Sequence, residues 1–296
     1  MPWTFAHPAA VLPLRPLRRL SFGALVVGSI SPDIGYYVGH FDLAGAAHTL
    51  SGLVTLSLPT GLVLMVFVRL LHRPVADLLP RPHRQALLLL PQMPPLTSLM
   101  TAWRVSIAIL IGASTHIAWD SFTHGTGTLV AMIPLLRMPV HVFGIRTLRL
   151  FDVLQHASTA LGVAVLFVAY ARWLRSVGPG PAAWSVDNDR WRYALLSVLA
   201  ATSLLAAPPA AYLLSTSTPA GTNVALFIVR CVILCTTVFV AQLSVAALWV
   251  ARGRRQPGAG QGARPSLTPS PMASPSPKIE KGLELRRDGP EDDLEL

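Results

Sequence analysis

The sequence predicts an all-α fold: a polytopic membrane helix bundle of about six transmembrane helices, with a re-entrant or interfacial segment at the N-terminus. Two observations carry this. The 296 residues are 52% hydrophobic and only 13% charged, with a mean hydropathy of +0.52, far more apolar than a soluble domain of average usage. Apolar runs also recur between Arg-bearing loops at about the 20-residue scale that a bilayer core demands. The net charge of +10 does not point to nucleic acid, because the basic residues sit singly or in small clusters at the ends of the apolar runs, where the positive-inside rule places them. Lys occurs only at positions 278 and 281. Cys231 and Cys235 lie inside an apolar run, where they serve as small packing residues and imply neither a disulfide framework nor a zinc knuckle.

The elements follow in order. Residues 1–20 are too broken by proline to span, so they enter the membrane as a half-helix or lie at its interface. Arg15, Arg18 and Arg19 followed by SFGALVVGSI resemble a signal peptide, but Ser31, Pro32 and Asp33 offer no small-residue cleavage pattern. We expect an uncleaved first span over residues 20–38. Asp33 lies inside it and needs a partner, since an ionisable group at membrane depth costs a few kcal/mol. A second span is expected over 43–71, with His48 near its opening and Pro59 and Gly61 as a kink. Residues 72–102 are expected as a Pro- and Arg-rich loop.

The third span covers 103–124. Gly125 to Leu150 is too interrupted to cross and is expected to be re-entrant or interfacial. The fourth span covers 151–174 and opens with Asp152, Gln155 and His156; Asp152 and Gln155 read either as groups that fix imidazole tautomers or, by preference, as a helix start with an Asp in the first turn. Residues 175–191 form a polar loop, and spans over 192–214 (with Pro208 and Pro209) and 224–250 complete the bundle. The chain therefore divides into a metal-site membrane domain over 1–174, two additional transmembrane helices within 175–252, and a Pro-, Ser- and Gly-rich tail over 253–296 whose composition predicts disorder.

Orientation follows from the Arg count. The Arg-bearing loops at 15–19, 69–104, 172–192 and 252–255 are expected on the cytoplasmic side of the cell membrane, with both termini; segments 39–48, 121–128 and 215–223 carry no Lys or Arg and are expected outside. On this arrangement Asp33, His48, His116, Asp120, His124 and His156 converge toward the outer face. His7 joins them only if the N-terminal half-helix folds back beside the first span.

The third span carries the most informative chemistry. In WRVSIAILIGASTHIAWDSFTHG, His116, Asp120 and His124 are spaced four and four, so on a helix they share one face. The two imidazoles lie on the order of 12 Å apart along the axis, too far for one ion. A carboxylate between them suits two ions about 3.5–4 Å apart. Single histidines elsewhere (His40, His72, His83, His141) read as interfacial polar residues, and Trp3, Trp103, Trp119 and Trp173 as belt residues.

The ordered series PWTFAHPAAVLPL, GSISPD, AHTLSG, THIAWDSFTHG and FDVLQHAST, within residues 1–174, resembles that of a bacterial integral membrane family of unknown function. That family is similar to membrane-bound metal-dependent hydrolases and, more distantly, to zinc-dependent phospholipase C. The resemblance implies a divalent metal, zinc by preference, held by His7, Asp33, His48, His116, Asp120, His124 and His156, with Asp33 serving either as a ligand or as the base that orients a water. The phospholipase places a Glu one turn after its last ligand His, where this chain has Ala160. A hydrolytic activity follows from the resemblance, with a lipid or lipid-linked phosphoester as the substrate suited to a site at the membrane's outer edge. Two classes stay open beside it. A transporter or ion relay would also keep His and Asp inside spans, and a non-catalytic scaffold would hold a structural metal. A haem protein would pair histidines such as His48 and His116 without needing Asp120.

Overall fold

The computed structural model describes residues 3–17, 19–142, 146–177, 189–216 and 224–255. The expected tail over 253–296 lies outside these residues from 256 onward. Among the described residues the fold is a helical bundle with one small hairpin, and five helices are long and apolar enough to cross a membrane: Leu50–Leu78, Leu99–Met132, Leu150–Val177, Arg190–Ser215 and Leu226–Gly253.

The N-terminal stretch is short and broken, as its prolines require: 3-10 turns at Thr4–Ala6 and Leu12–Leu14 flank α1 (Pro8–Val11). The expected first span over 20–38 is not one continuous helix. It consists of α2 (Phe22–Ile30), a 3-10 turn (Ser31–Asp33) and α3 (Ile34–Tyr37). Pro32 has no N–H to continue the α-helical ladder, so the chain tightens there while the Ser31 hydroxyl donates to the Gly28 carbonyl at 2.9 Å. The tightening leaves Asp33 buried on the inner side.

The second span also begins later than expected. Residues 41–47 form a separate helix, α4 (Phe41–Ala47), and the long helix assembles from α5 (Leu50–Gly52), a π-helical turn (Leu53–Ser57) and α6 (Leu58–Leu78). It runs through Pro74 to Leu78, so residues 72–78, expected in a loop, are helical. Within the remainder of that loop, α7 (His83–Leu89) packs back on α6, with a ring nitrogen of His72 at 2.9 Å from the Leu87 carbonyl.

The third span is α8 (Leu99–Thr123). Residues 125–150 contain α9 (Thr128–Met132) and an antiparallel hairpin of β1 (Pro139–Val142) and β2 (Arg146–Arg149), with Val140 opposite Leu148. That hairpin was not expected; its four-residue strands leave no period-2 run long enough to read. The last three long helices, α10 (Leu150–Val177), α11 (Arg190–Thr216) and α12 (Val224–Arg255), match the expected spans closely. Asp152 accepts a hydrogen bond from the Arg149 backbone N–H at 3.2 Å, which makes it a helix-start residue. Pro208 and Pro209 stay inside α11, as membrane helices permit.

The core joins α1, α2, α6 and α8 through Val11, Leu25, Met65, Val105 and Ile109. Outside it, large apolar side chains face outward, with Leu205 and Trp249 each 76% exposed. Water would penalise such a surface, and lipid does not. At the Arg-bearing end, a polar clamp closes the bundle: Asp189 accepts from Arg81 and from Arg192, and the buried Arg192 also donates to the Asp77 carbonyl at 3.0 Å.

Candidate metal centre

Four elements bring the site together, and two glycines set how closely they meet. A Cβ on Gly28 would collide with the Ile109 backbone, and one on Gly112 would collide with the Leu25 carbonyl oxygen. With hydrogen in both places, α2 and α8 pack backbone to backbone, the small-residue approach typical of membrane helices. That contact places Asp33, in the 3-10 turn that follows α2, beside His116 and Asp120 on the inner face of α8. His48 enters from the C-cap of α4.

The resulting group is compact. His48 Nε2 lies 3.3 Å from Asp33 Oδ1, from Asp120 Oδ2 and from His116 Nε2; His116 Nε2 lies 3.5 Å from Asp33 Oδ1 and 3.3 Å from Asp120 Oδ2. The four ligand atoms are all within 4.8 Å of one another, and Asp33, His116 and Asp120 are buried. Ligands at about 2.0–2.1 Å around a tetrahedral ion sit about 3.3 Å from each other. The five measured edges have that length.

His48 donates its Nδ1–H to the Ala44 carbonyl at 2.7 Å, and His116 donates its own to the Ser29 carbonyl, also at 2.7 Å. A backbone carbonyl only accepts, so both rings carry their first proton on Nδ1 and turn the Nε2 lone pair inward. Two lone pairs and two carboxylate oxygens thus meet with no donor between them. Either a proton or a cation must sit there. The same electrostatics act on His48: burial disfavours its charge, but Asp120 and Asp33 beside it prevail and hold its pKa up at about 9. Such a buried, carboxylate-rich group can hold a metal ion.

Around this core the remaining expected ligands take different positions. His7 stacks on His116 at 3.7 Å between ring centres, and its Nε2 lies 3.5 Å from Asp120 Oδ1. His7 Nε2, Asp33 Oδ1 and Asp120 Oδ1 are all buried without a hydrogen-bond partner. Burial and the neighbouring His116 hold His7 down at about 3, so its ring is neutral. The N-terminal half-helix does fold back, as required. His124 lies one residue past the helix end, at the C-cap of α8, with Nδ1 3.4 Å from Asp120 Oδ2.

His116 and His124 therefore approach the same carboxylate oxygen, and the opposite one faces His7. The expected arrangement, with His116 and His124 on either side of Asp120, is therefore not what the structure has, because the helix ends at Thr123 and turns His124 to the same oxygen; His7 takes the other side. His156 stays outside the four-residue group. It is exposed on α10 and lines a separate cavity with Trp3, Thr4 and Tyr37.

The structure adds two residues that the sequence does not single out. Thr4 is buried and donates its hydroxyl to Asp33 Oδ2 at 2.5 Å, fixing the carboxylate's orientation. Only its place three residues before His7, in TFAH, hinted at a role. Tyr36 lines the polar cavity through which the group opens, together with His48, Asp120, Ser121, His124 and Thr126. On the far side of His7 lies an apolar groove of Ala6, Ala10, Trp119, Leu161 and Val165.

No curated protein and no solved structure matches this chain. A family model does, described as a domain of unknown function, DUF4184, and it matches residues 1–248. The match extends past residue 174, where the sequence motifs end, and takes in α11 and nearly all of α12. The chain belongs to the DUF4184 family, and the residues matched take in the His/Asp group and the helices as far as residue 248.

Proposed function

We propose that this protein is a membrane-bound metal-dependent hydrolase acting on a lipid or lipid-linked phosphoester, with zinc as its metal. The observation that carries the reading is the inward meeting of His48 Nε2, His116 Nε2, Asp33 Oδ1 and Asp120 Oδ2 with no donor among them. Two imidazoles and the Asp120 carboxylate suit a catalytic zinc, with Asp33 beside the position left for water. An ion there would lower the pKa of a bound water toward neutrality and polarise a phosphoryl oxygen. A second ion would share Asp120 and take His7 and His124.

The chain's own residues divide the remaining work. The Ala44 and Ser29 carbonyls keep both imidazoles in the ligating tautomer. Asp33, oriented by Thr4 through Oδ2, keeps Oδ1 free to take a proton from an attacking water, and Asp120 ties the centre to α8. The Arg-bearing loops support a cytoplasmic placement of the opposite end and an outer-leaflet placement of the site, at head-group depth in the cell membrane.

A second reading rests on the same distances. Four protein donors closing a tetrahedron would make a structural zinc site, since a catalytic one keeps a position for water. Asp33→Asn separates the two. A base is dispensable for holding metal, so the hydrolase reading expects full metal content and lost hydrolysis across a panel of phosphoester lipids. Loss of the metal itself would favour the scaffold. Absence of hydrolysis by metal-loaded wild-type protein across that panel would overturn the hydrolase reading.

A further inference from the structure

The end of the bundle remote from the His/Asp group carries a second site. The start of α2, the end of α6, α7, the second half of α10 and the stretch Pro8–Arg15 enclose a groove of about 430 Å³, open to its surroundings. That is within the range of ligand pockets, about 300–1,000 Å³. Its walls are apolar, with Leu12, Phe22, Val26, Leu87 and Leu166 among them.

The rim has a different character. Arg15 lines the groove and is exposed, and its guanidinium makes no hydrogen bond or ion pair among the described residues. Across from it, a ring nitrogen of His83 is 2.5 Å from the Tyr170 hydroxyl, the two rings stack within 9°, and Trp173 lies 5.6 Å beyond. Aromatic side chains of this kind sit at head-group level. The acids at this end are engaged: Asp77 pairs with Arg84, and Asp189 with Arg81 and Arg192. An unpaired guanidinium above an apolar groove, at the Arg-rich end of a membrane bundle, has the chemistry of a basic inter-helical lipid pocket.

We propose that this groove binds one anionic phospholipid, with an acyl chain along Leu12, Leu87 and Leu166 and the phosphate at Arg15. The site is separate from the metal centre and independent of the hydrolase reading. The stretch that forms one wall also carries His7, one residue before Pro8.

The test uses the full chain, purified in detergent, stripped of lipid, and mixed with phosphatidylglycerol or phosphatidylcholine micelles before native mass spectrometry. One phosphatidylglycerol per chain is expected to survive activation at which phosphatidylcholine is lost. Arg15→Gln, on the surface, should lower phosphatidylglycerol retention about fivefold, to the phosphatidylcholine level. Ala169→Trp, which fills the groove, should lower retention of both lipids, with gel filtration verifying its fold. Equal retention of the two lipids by wild-type protein, or a preference that survives Arg15→Gln, would overturn the proposal.

Discussion

His48 and His116 face one another through their Nε2 atoms at 3.3 Å, while each commits its Nδ1–H to a backbone carbonyl. Two acceptor lone pairs at that distance repel unless something positive lies between them, and Asp33 and Asp120 reinforce the demand. The imidazoles come from distant parts of the chain, so the fold itself brings them together.

Thr4 tests how far the carboxylate must be oriented. Its hydroxyl is Asp33's partner at 2.5 Å, and valine has nearly the same shape. Thr4→Val should leave helical content and zinc affinity unchanged and lower hydrolysis of the phosphoester lipids about 10- to 100-fold, because the base loses its orienting partner. Isothermal titration with zinc of chelator-treated protein, beside the hydrolysis assay, would measure both. A zinc affinity that falls instead would place Asp33 among the ligands.

The close approach of α2 and α8 gives a packing test. Gly28→Leu forces a side chain into the Ile109 backbone and should destabilise the bundle by about 1–3 kcal/mol or more, with the metal lost as the Ser29 carbonyl moves off His116 Nδ1. Gly45, in α4, has open space where a Cβ would sit. Gly45→Ala should leave metal content intact and raise stability slightly. Thermal unfolding in detergent compares the two variants.

Much of this was legible in the sequence. The apolar runs located α8, α10, α11 and α12 to within a few residues, because bilayer thickness sets their length. His116 and Asp120 were legible from spacing along one helix, and Asp33 from its cost at membrane depth. What escaped depends on contacts between segments. Pro32 breaks a span that was expected to run unbroken over 20–38, and the consequence, an inward Asp33, depends on α8 lying alongside. Thr4 looks like any hydroxyl until Asp33 lies against it, and the helix end at Thr123, which takes His124 off the face shared by His116 and Asp120, follows from local geometry that composition does not carry.

Acidity should act on the metal-free protein from both sides. His48, raised from 6.5 to about 9 by its carboxylates, contributes stability that is fully present below pH 6.5 and lost as pH rises through 9. His7, lowered from 6.5 to about 3 by burial, acts in the opposite sense: the unfolded chain takes up its proton first, so stability falls as pH drops from 6.5 toward 3. Melting temperature should therefore peak near pH 6.5 in chelator, and His7→Gln should flatten the acid limb. A zinc-loaded sample should hold its stability through pH 9, because the ion replaces the His48 proton. An acid limb equally steep in His7→Gln would assign it to other groups.

The most direct test of the metal centre is elemental mass spectrometry on detergent-purified protein, wild type beside Asp120→Ala. Asp120 touches His7, His48, His116 and His124, so its loss should dismantle both ion positions at once. The account predicts about two equivalents of divalent transition metal per wild-type chain, absent from the variant, with helical content the same in both. A single equivalent, lost in the variant, would keep the four-donor site and remove the second ion. Wild-type protein that holds no metal when purified without chelator and supplied with zinc, or metal that survives Asp120→Ala, would contradict the account.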